Sequence, residues 1–221
     1  MASSQAVPRV ETTSGRVSVP ADVIVAIEAA ATRYGLSRDE TAELYLRATL
    51  SPADGAAVAL REVFESGRTH TPADVSRALK QAEADVPVAG VRLGSRRSVQ
   101  DSSPISRDHI GGNLADDAVT VWPAARGLWK VSDRASILVA YRLGWPLAIY
   151  RVRGWEQDPD SGRRWAVDGL IISGDRRRDA DTGDDRGELS PIDRAIANAV
   201  LGRALVLPAG AANPVIWLNS H

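Results

Sequence analysis

The chain has 221 residues, and its 27 Lys and Arg against 28 Asp and Glu leave a formal net charge of −1 at pH 7. This balance excludes a protein that coats nucleic acid or a membrane surface through bulk positive charge. The absence of Cys excludes disulfides, thiolate zinc sites and a cysteine nucleophile. We expect a cytoplasmic protein without a membrane partner, because the sequence contains no apolar signal core and no long apolar run.

A chain of this length can form one large domain or two small ones, and the composition favours two. All six Trp lie between Trp122 and Trp217, whereas Ala dominates the first 85 residues. We therefore predict an α+β protein with a mostly helical first half and a Trp-rich second half. The predicted parts are a disordered tail over 1–13, a helical domain over 14–86, a flexible linker over 87–117 and an α+β domain over 118–221.

The first predicted element is a short strand that ends before Pro20. Alternation places Ser14, Arg16 and Ser18 on one face of an extended segment and valines on the other face. The strand therefore has a polar face that is available for contacts.

Two helices follow this strand and are separated by a turn at Gly35. Pro20 is typical of a helix start, and apolar residues then recur at helical spacing as far as Tyr34. Gly35 is the usual residue for the left-handed position after a helix. Ser37 and Glu40, which are three residues apart, predict a capping box that opens the second helix.

A strand, a helix, a Gly-Leu-Ser turn and a second helix over residues 14–50 resemble the ribbon-helix-helix family of DNA-binding proteins. The string RYGLSRDETAELYLRATL is similar to the second half of the family's motif. The resemblance implies an obligate homodimer whose two strands pair and enter the major groove of DNA. On this sequence the implied DNA-binding residues are Ser14, Arg16, Ser18, Ser37 and Arg38. Of these, Arg16 could contact guanine, and Ser37 with the start of its helix could hold a phosphate.

An ordinary helical hairpin preceded by a disordered tail explains the same pattern, and this alternative stays open. The first fifty residues contain five Arg against six Asp and Glu. They therefore lack the excess of positive charge that non-specific affinity for a polyanion normally requires.

Two further helices are predicted by a repeated combination of a cap, a proline and an aspartate, at 51–54 and at 71–74. The first should run to about Ser66 and the second to about Asp85. These helices would extend the hairpin into a unit large enough to bury a core.

The segment 87–117 is rich in Gly, Ser, Pro and charged residues without a sustained period, which is typical of a mobile linker. Its arginines could contact a phosphate backbone, or they could be solvated linker residues, and both interpretations stay open. These arginines are Arg92, Arg96, Arg97 and Arg107.

The second half alternates short predicted strands with short predicted helices. Strands are expected at 119–122 and 128–131, and a helix is expected over 134–143. The apolar run at 147–152 predicts a central strand. A last helix should occupy 190–201.

This arrangement suggests a small, partly open β-barrel with two short helices. The strings RGLWKVS, RLGWPLAIYRVRGWE and RRWAVDGL are similar to the PUA-like barrels, including the EVE group, that bind RNA or modified bases. The resemblance implies an aromatic pocket that receives a flipped base, with arginines beside it. The candidate pocket residues are Trp122, Trp129, Trp145, Trp155, Trp165, Arg126, Arg151, Arg153 and Arg163. The same tryptophans could instead fill the core, and that alternative stays open.

Catalysis has little support, because the sequence contains no GxSxG, Gly-Lys-Ser, HExxH or Cys-based motif. We expect no cofactor and no metal, since the three His are far apart. The predicted function is a dimeric DNA-binding protein whose barrel binds nucleic acid or a modified base. The alternative is a non-enzymatic protein-interaction module whose helical part dimerises and whose barrel binds a protein partner.

Overall fold

The computed structural model describes residues 19–51, 55–84, 86–99, 105, 107–207 and 214–219. The predicted tail and the predicted strand residues Ser14, Arg16 and Ser18 lie outside these ranges. None of the helices within them has the length and apolar character needed to cross a bilayer.

The elements in chain order are α1 (Ala21–Tyr34), α2 (Arg38–Leu50), α3 (Gly55–Glu65), β1 (Thr69–His70), α4 (Pro72–Gln81), β2 (Val88–Arg92), β3 (Arg97–Ser98), β4 (His109–Ile110), α5 (Ala118–Ala125), β5 (Ile137–Arg142), β6 (Trp145–Gln157), β7 (Arg164–Ile171), β8 (Arg176–Asp179), β9 (Asp185–Glu188), α6 (Pro191–Val200), β10 (Ala204–Leu205) and β11 (Val215–Asn219).

Seven strands form one sheet in the order β11-β2-β5-β6-β7-β8-β9. β2 runs parallel to β5, and the other neighbours in this sheet are antiparallel. The combination of helices and a mostly antiparallel sheet confirms the predicted α+β class. In the described part of the chain β9 and β11 are the two edges of an open sheet, so the predicted barrel is not confirmed.

Strand β2 lies within the segment that the sequence predicts to be a linker. Val88, Ala89 and Val91 are fully buried, and the strand is paired with β11 on one side and β5 on the other. A short continuous apolar run is typical of a strand that is covered on both faces. The linker prediction is therefore wrong for this strand, because both partners are distant in sequence and the surrounding Gly and Ser conceal the run.

Two predictions in the second half are corrected by the structure. Residues 119–122, which we expected to form a strand, lie in α5, and the Asp117 side chain caps this helix by accepting the Thr120 N–H at 2.8 Å. The predicted helix over 134–143 contains instead β5, whose six residues are all buried. Its apolar residues pack on both faces, so the run lacks the one-sided pattern of a surface helix.

The other predicted elements of the second half show mixed agreement. The predicted central strand 147–152 lies within β6, which is the fourth of the seven strands. The predicted strand 128–131 contributes a single bridge, between Trp129 and Arg164.

The helix boundaries read from caps agree closely with the structure. Capping boxes are present at Ser37, Thr71 and Ser190. Gly35 ends α1 with φ of 63°, and a Cβ there would lie 2.4 Å from the Leu207 backbone nitrogen. Local hydrogen bonds decide where these helices begin and end, which is why the sequence alone predicts them.

Both faces of the sheet are covered, and successive side chains of β5 point alternately into two cores. Leu138 and Ala140 pack in the cluster that contains Trp122 of α5. Ile137 and Val139 pack in the opposite cluster, which includes the apolar sides of α4 and α6. This alternation is the normal consequence of a two-residue period in a strand.

The first three helices share a third core with the sheet. Tyr34 is stacked on Phe64 with ring centroids 4.6 Å apart, and Leu44 packs in the same cluster. Leu143, which follows β5, and Ala204 of β10 complete this cluster. The helices therefore pack directly against elements of the second half.

Gly169 of β7 leaves room for the indole of Trp122. A Cβ at Gly169 would lie 2.7 Å from Trp122 Cη2, so Gly169→Ala should lower the free energy of unfolding by about 1–3 kcal/mol through overpacking. Urea unfolding followed by circular dichroism measures this change. Gly174→Ala is the matched control, since nothing lies within 4 Å of its added Cβ. Equal midpoints for the two variants would contradict the packing argument.

Candidate functional site

One wall of the candidate site is built where β2 ends. Leu93 extends the strand by one residue through a hydrogen bond to β5. The chain then turns and returns beside itself, because the Gly112 N–H donates to the Gly94 carbonyl at 3.0 Å. A Cβ at Gly111, where φ is 76°, would lie 2.2 Å from the Ser95 carbonyl oxygen. Glycine at this position allows the two segments to approach so closely.

The opposite wall comes from the segment after α5. Trp129 and Arg164 exchange two backbone hydrogen bonds of 2.8 Å, so Arg163 is held beside this segment. The Trp129 Nε1–H donates to the Ala125 carbonyl at 2.6 Å. This bond fixes the orientation of an indole that is only partly buried.

Between the two walls lies a cleft of 740 Å³, which we call the arginine cleft. Among the described residues, its lining contains five arginines and neither Asp nor Glu. Guanidinium groups stay charged at physiological pH, so positive charge is concentrated here although the chain as a whole carries −1. The arginines are Arg92, Arg96, Arg97, Arg107 and Arg163, and apolar lining is supplied by Leu93, Ile110, Leu128 and Trp129.

The arginines of the cleft differ in their partners. Arg92 donates to both carboxylate oxygens of Glu40, at 2.9 and 3.1 Å, and Arg96 pairs with Asp116 at 3.3 Å. Arg97 and Arg163 are exposed, and neither forms an ion pair with another described residue. These two are therefore the guanidinium groups best placed to receive an anion.

The Arg107 side chain packs against Gly127, where a larger residue would collide with it. A Cβ at Gly127 would lie 2.6 Å from Arg107 Nη1, so the guanidinium lies directly over this residue. The two walls of the arginine cleft thus meet at an arginine from the first wall and a glycine from the second.

The pKa of Glu40 lies below its ordinary value, although burial acts in the opposite direction and raises it. The Ser37 N–H donates to this carboxylate at 2.8 Å, and Arg92 adds its charge, so the charged form is favoured. Glu40 is therefore an anion at neutral pH, and it lies at the edge of a cationic cleft.

The structure assigns other contacts to the predicted DNA-binding residues of α2. The Ser37 hydroxyl accepts the Glu40 N–H at 3.1 Å, so its N–H and its hydroxyl both serve the capping box. Arg38 is exposed and pairs with Glu28 at 3.1 Å. Neither residue lines the arginine cleft.

The five tryptophans of the predicted pocket do not share any one of the cavities found among the described residues. Trp122 is fully buried and its Nε1–H donates to Asp181 at 3.1 Å. Trp155 packs against the same core and donates to the Ala135 carbonyl. Trp145 packs against the helical core beside an apolar cavity of 100 Å³, and Trp165 lies in β7 opposite Glu156. Trp129 alone of the five lines the arginine cleft.

Three of the four arginines predicted for that pocket are engaged elsewhere. Arg126 pairs with Asp181 and lies over the ring of Trp122. Arg153 pairs with Asp168 at 2.7 Å. Arg151 shares the buried carboxylate of Asp193 with Arg177. Arg163 remains, and it lines the arginine cleft.

The site thus joins two sets of residues that the sequence kept apart. Four of its arginines come from the predicted linker, and Trp129 and Arg163 come from the predicted barrel pocket. The sequence singled out the arginines near Gly94 and Ser95 and, separately, Trp129 and Arg163, but no local pattern connects the two sets. Among the described residues no group of three or more His, Asp or Glu is arranged to hold a metal ion.

Comparisons of the chain with protein-family models, curated proteins and solved structures give no match.

Arg97, an exposed arginine of the cleft, and Arg142, a buried arginine, are expected to contribute differently to the stability of the fold. Arg142 is 3% exposed and donates to both oxygens of Glu43, so Arg142→Ala should lower the free energy of unfolding by about 2 kcal/mol. Arg97→Ala should change it by less than about 0.5 kcal/mol, because the lost side chain is exposed and forms no ion pair with the described residues. Urea unfolding of both variants measures the difference. Equal losses would show that Arg97 has a structural role.

Asp193 predicts an acid-dependent part of the stability. Burial acts to raise its pKa, but hydrogen bonds from Arg151, Arg177 and Ser190 outweigh it and hold the pKa below the ordinary value. The contribution of ionised Asp193 to the free energy of unfolding is therefore complete above about pH 4, the pKa of Asp in an unfolded chain. This contribution is lost as the pH falls below that value. The stability difference between wild type and Asp193→Asn should shrink from pH 6 to pH 3 in urea titrations. Asp175→Asn, at an exposed bend, is the control for the loss of one carboxylate.

Proposed function

We propose that this protein binds DNA and that the arginine cleft holds an unpaired segment of the strand. The observation that carries this proposal is the convergence of five arginines and Trp129 on one cleft, in which no carboxylate belongs to the part of the lining that the structure describes. Nucleic acid is the common ligand that presents repeated phosphates next to flat apolar rings, and the cleft offers partners for both.

The cations of the cleft support a phosphate ligand. Arginine makes paired, planar hydrogen bonds to phosphate oxygens. Arg97 and Arg163 lie on opposite walls, so a strand between them can contact both. The low net charge of the chain is compatible with this role, because local charge in a cleft sets the potential that a ligand meets.

The aromatic ring supports an unpaired nucleotide. Trp129 is held by its bond to Ala125 and lines the cleft with Leu93 and Leu128. Stacking of a base on such a ring contributes about 1–3 kcal/mol. A volume of 740 Å³ is in the size range of small-ligand sites and fits one or two nucleotides, whereas a duplex is far wider.

The ribbon-helix-helix dimer and the PUA-like barrel stay predictions. The expected ribbon residues lie outside the described ranges. Exposed apolar side chains on the first two helices support the expected homodimer, since Leu46 and Leu50 are one turn apart on α2 and are 57% and 73% exposed. The same surface favours the second candidate, a protein-interaction module whose helical part dimerises.

The experiment that tests the DNA proposal is fluorescence anisotropy with a labelled strand of ten thymidines and with a duplex of equal length. We expect the single strand to bind more tightly. Arg97→Ala with Arg163→Ala should weaken its binding about tenfold or more at low salt. The double variant should also make the dependence of affinity on salt shallower, by about 0.7 log units per lost phosphate contact. Arg77→Ala combined with Arg194→Ala is the matched control, because both arginines lie on helices across the sheet from α5 and the pair removes the same two charges.

The outcomes separate the candidates. Trp129→Leu keeps an apolar side chain but removes the aromatic ring, and should weaken single-strand binding about tenfold if a base stacks there. Preferential binding of duplex that depends on Arg16 and Arg38 would favour the ribbon over the arginine cleft. Absence of binding to both DNAs would reject the DNA proposal and leave the protein-interaction module as the better explanation.

A further inference from the structure

Helix α2 lies across the ends of two parallel strands. Arg92 is the last residue of β2 and Arg142 is the last residue of β5, and Arg92 is paired in register with Tyr141. The two arginines therefore lie at the same end of the sheet, where β2 and β5 have their carboxyl ends. Glu40 holds the first and Glu43 holds the second.

These two glutamates dock α2 on the sheet through a single face. They are three residues apart, which places their side chains together on a helix. The Glu40 and Arg92 side chains are both 22% exposed, so their pair is shielded from bulk water. Glu43 additionally accepts the Ser95 hydroxyl at 3.3 Å, and Ser95 belongs to the lining of the arginine cleft.

Arg92 therefore belongs to two structures at once. It lines the arginine cleft, and both oxygens of Glu40 accept from its Nη2. A phosphate in the cleft would offer Arg92 a second anionic partner, and the Glu40 carboxylate would repel that phosphate. The same guanidinium cannot satisfy both anions as fully as it satisfies one.

We propose that a phosphate bound in the arginine cleft competes with Glu40 for Arg92, so that ligand binding and docking of helix α2 oppose each other. This inference rests on the proposed function, because the competing anion is the ligand of the cleft. The coupling is reciprocal: a docked α2 lowers the affinity for the phosphate by the same factor by which the phosphate weakens docking.

The capping box makes α2 able to loosen without losing its first turn. Glu40 keeps the hydrogen bond from the Ser37 N–H when Arg92 leaves it, and the Ser37 hydroxyl still accepts the Glu40 N–H. The helix start depends on these local bonds. The ligand therefore changes the contact between α2 and the sheet and leaves the start of the helix in place.

The test uses Glu40→Gln in the full chain. Glutamine preserves the capping box but removes the charge that competes for Arg92. We expect it to raise the affinity for a strand of ten thymidines and for inorganic pyrophosphate about fivefold. Asp39→Asn is the matched control, because Asp39 is the exposed neighbour on α2 and its loss removes one negative charge without touching Arg92.

Hydrogen exchange of the wild type gives the second measurement. A bound ligand usually slows exchange at its site, whereas here the amides of α2 from Thr41 to Ala48 should exchange faster when either probe is bound. Faster exchange in α2 together with tighter binding by Glu40→Gln alone supports the inference.

The remaining outcomes overturn it in distinguishable ways. If a probe binds and α2 exchanges at the same rate or more slowly, the coupling is absent while the proposed function stands. Equal affinities of wild type and Glu40→Gln, or equal gains in Glu40→Gln and Asp39→Asn, lead to the same conclusion. If neither probe binds the wild type, the proposed function and the inference fall together.

Discussion

The parallel pairing of β2 with β5 is the constraint on which the rest of the structure depends. It is the one parallel pairing in the described seven-stranded sheet, and it places the carboxyl ends of β2 and β5 side by side at one end of the sheet. Arg92 and Arg142 emerge there, α2 docks there through Glu40 and Glu43, and the turn that begins the arginine cleft starts there. Ligand sites commonly form beyond the carboxyl ends of parallel strands, because the chain must leave the sheet at that edge and its loops separate.

The structure tolerates five neighbouring arginines because it neutralises them unequally. Arg92 and Arg96 are balanced by Glu40 and Asp116, which lie outside the lining of the cleft. Arg97 and Arg163 are exposed, so water rather than protein screens their repulsion. A site of this kind concentrates positive potential without a basic protein around it. The total charge of a chain therefore says little about whether one of its clefts can hold a polyanion.

Tryptophan serves two different purposes in this fold. Trp122 fills the core between α5 and the sheet, and Gly169 provides the space for its ring. Trp129 differs because its segment pairs with the end of β7 and leaves one side of the indole at the cleft. In both cases the indole N–H has an acceptor, which is the usual requirement for a buried or half-buried Trp. Position in the sheet, and not residue type, separates the core ring from the ring that lines the arginine cleft.

The sequence by itself determined the elements whose signals are local. Caps at Ser37, Thr71 and Ser190 and the left-handed Gly35 predicted four helix boundaries, because each depends on hydrogen bonds between residues a few positions apart. The apolar run at 147–152 predicted a central strand, because a continuous run of apolar residues is also a local signal. Only the tertiary structure decided that 88–92 is a strand and 137–142 is another, since runs that are buried on both faces lack the period that distinguishes strand from helix. It also decided the site: Arg97 and Arg163 come together through β2, β5 and the pairing of Trp129 with Arg164, and no local pattern encodes contacts between such distant segments.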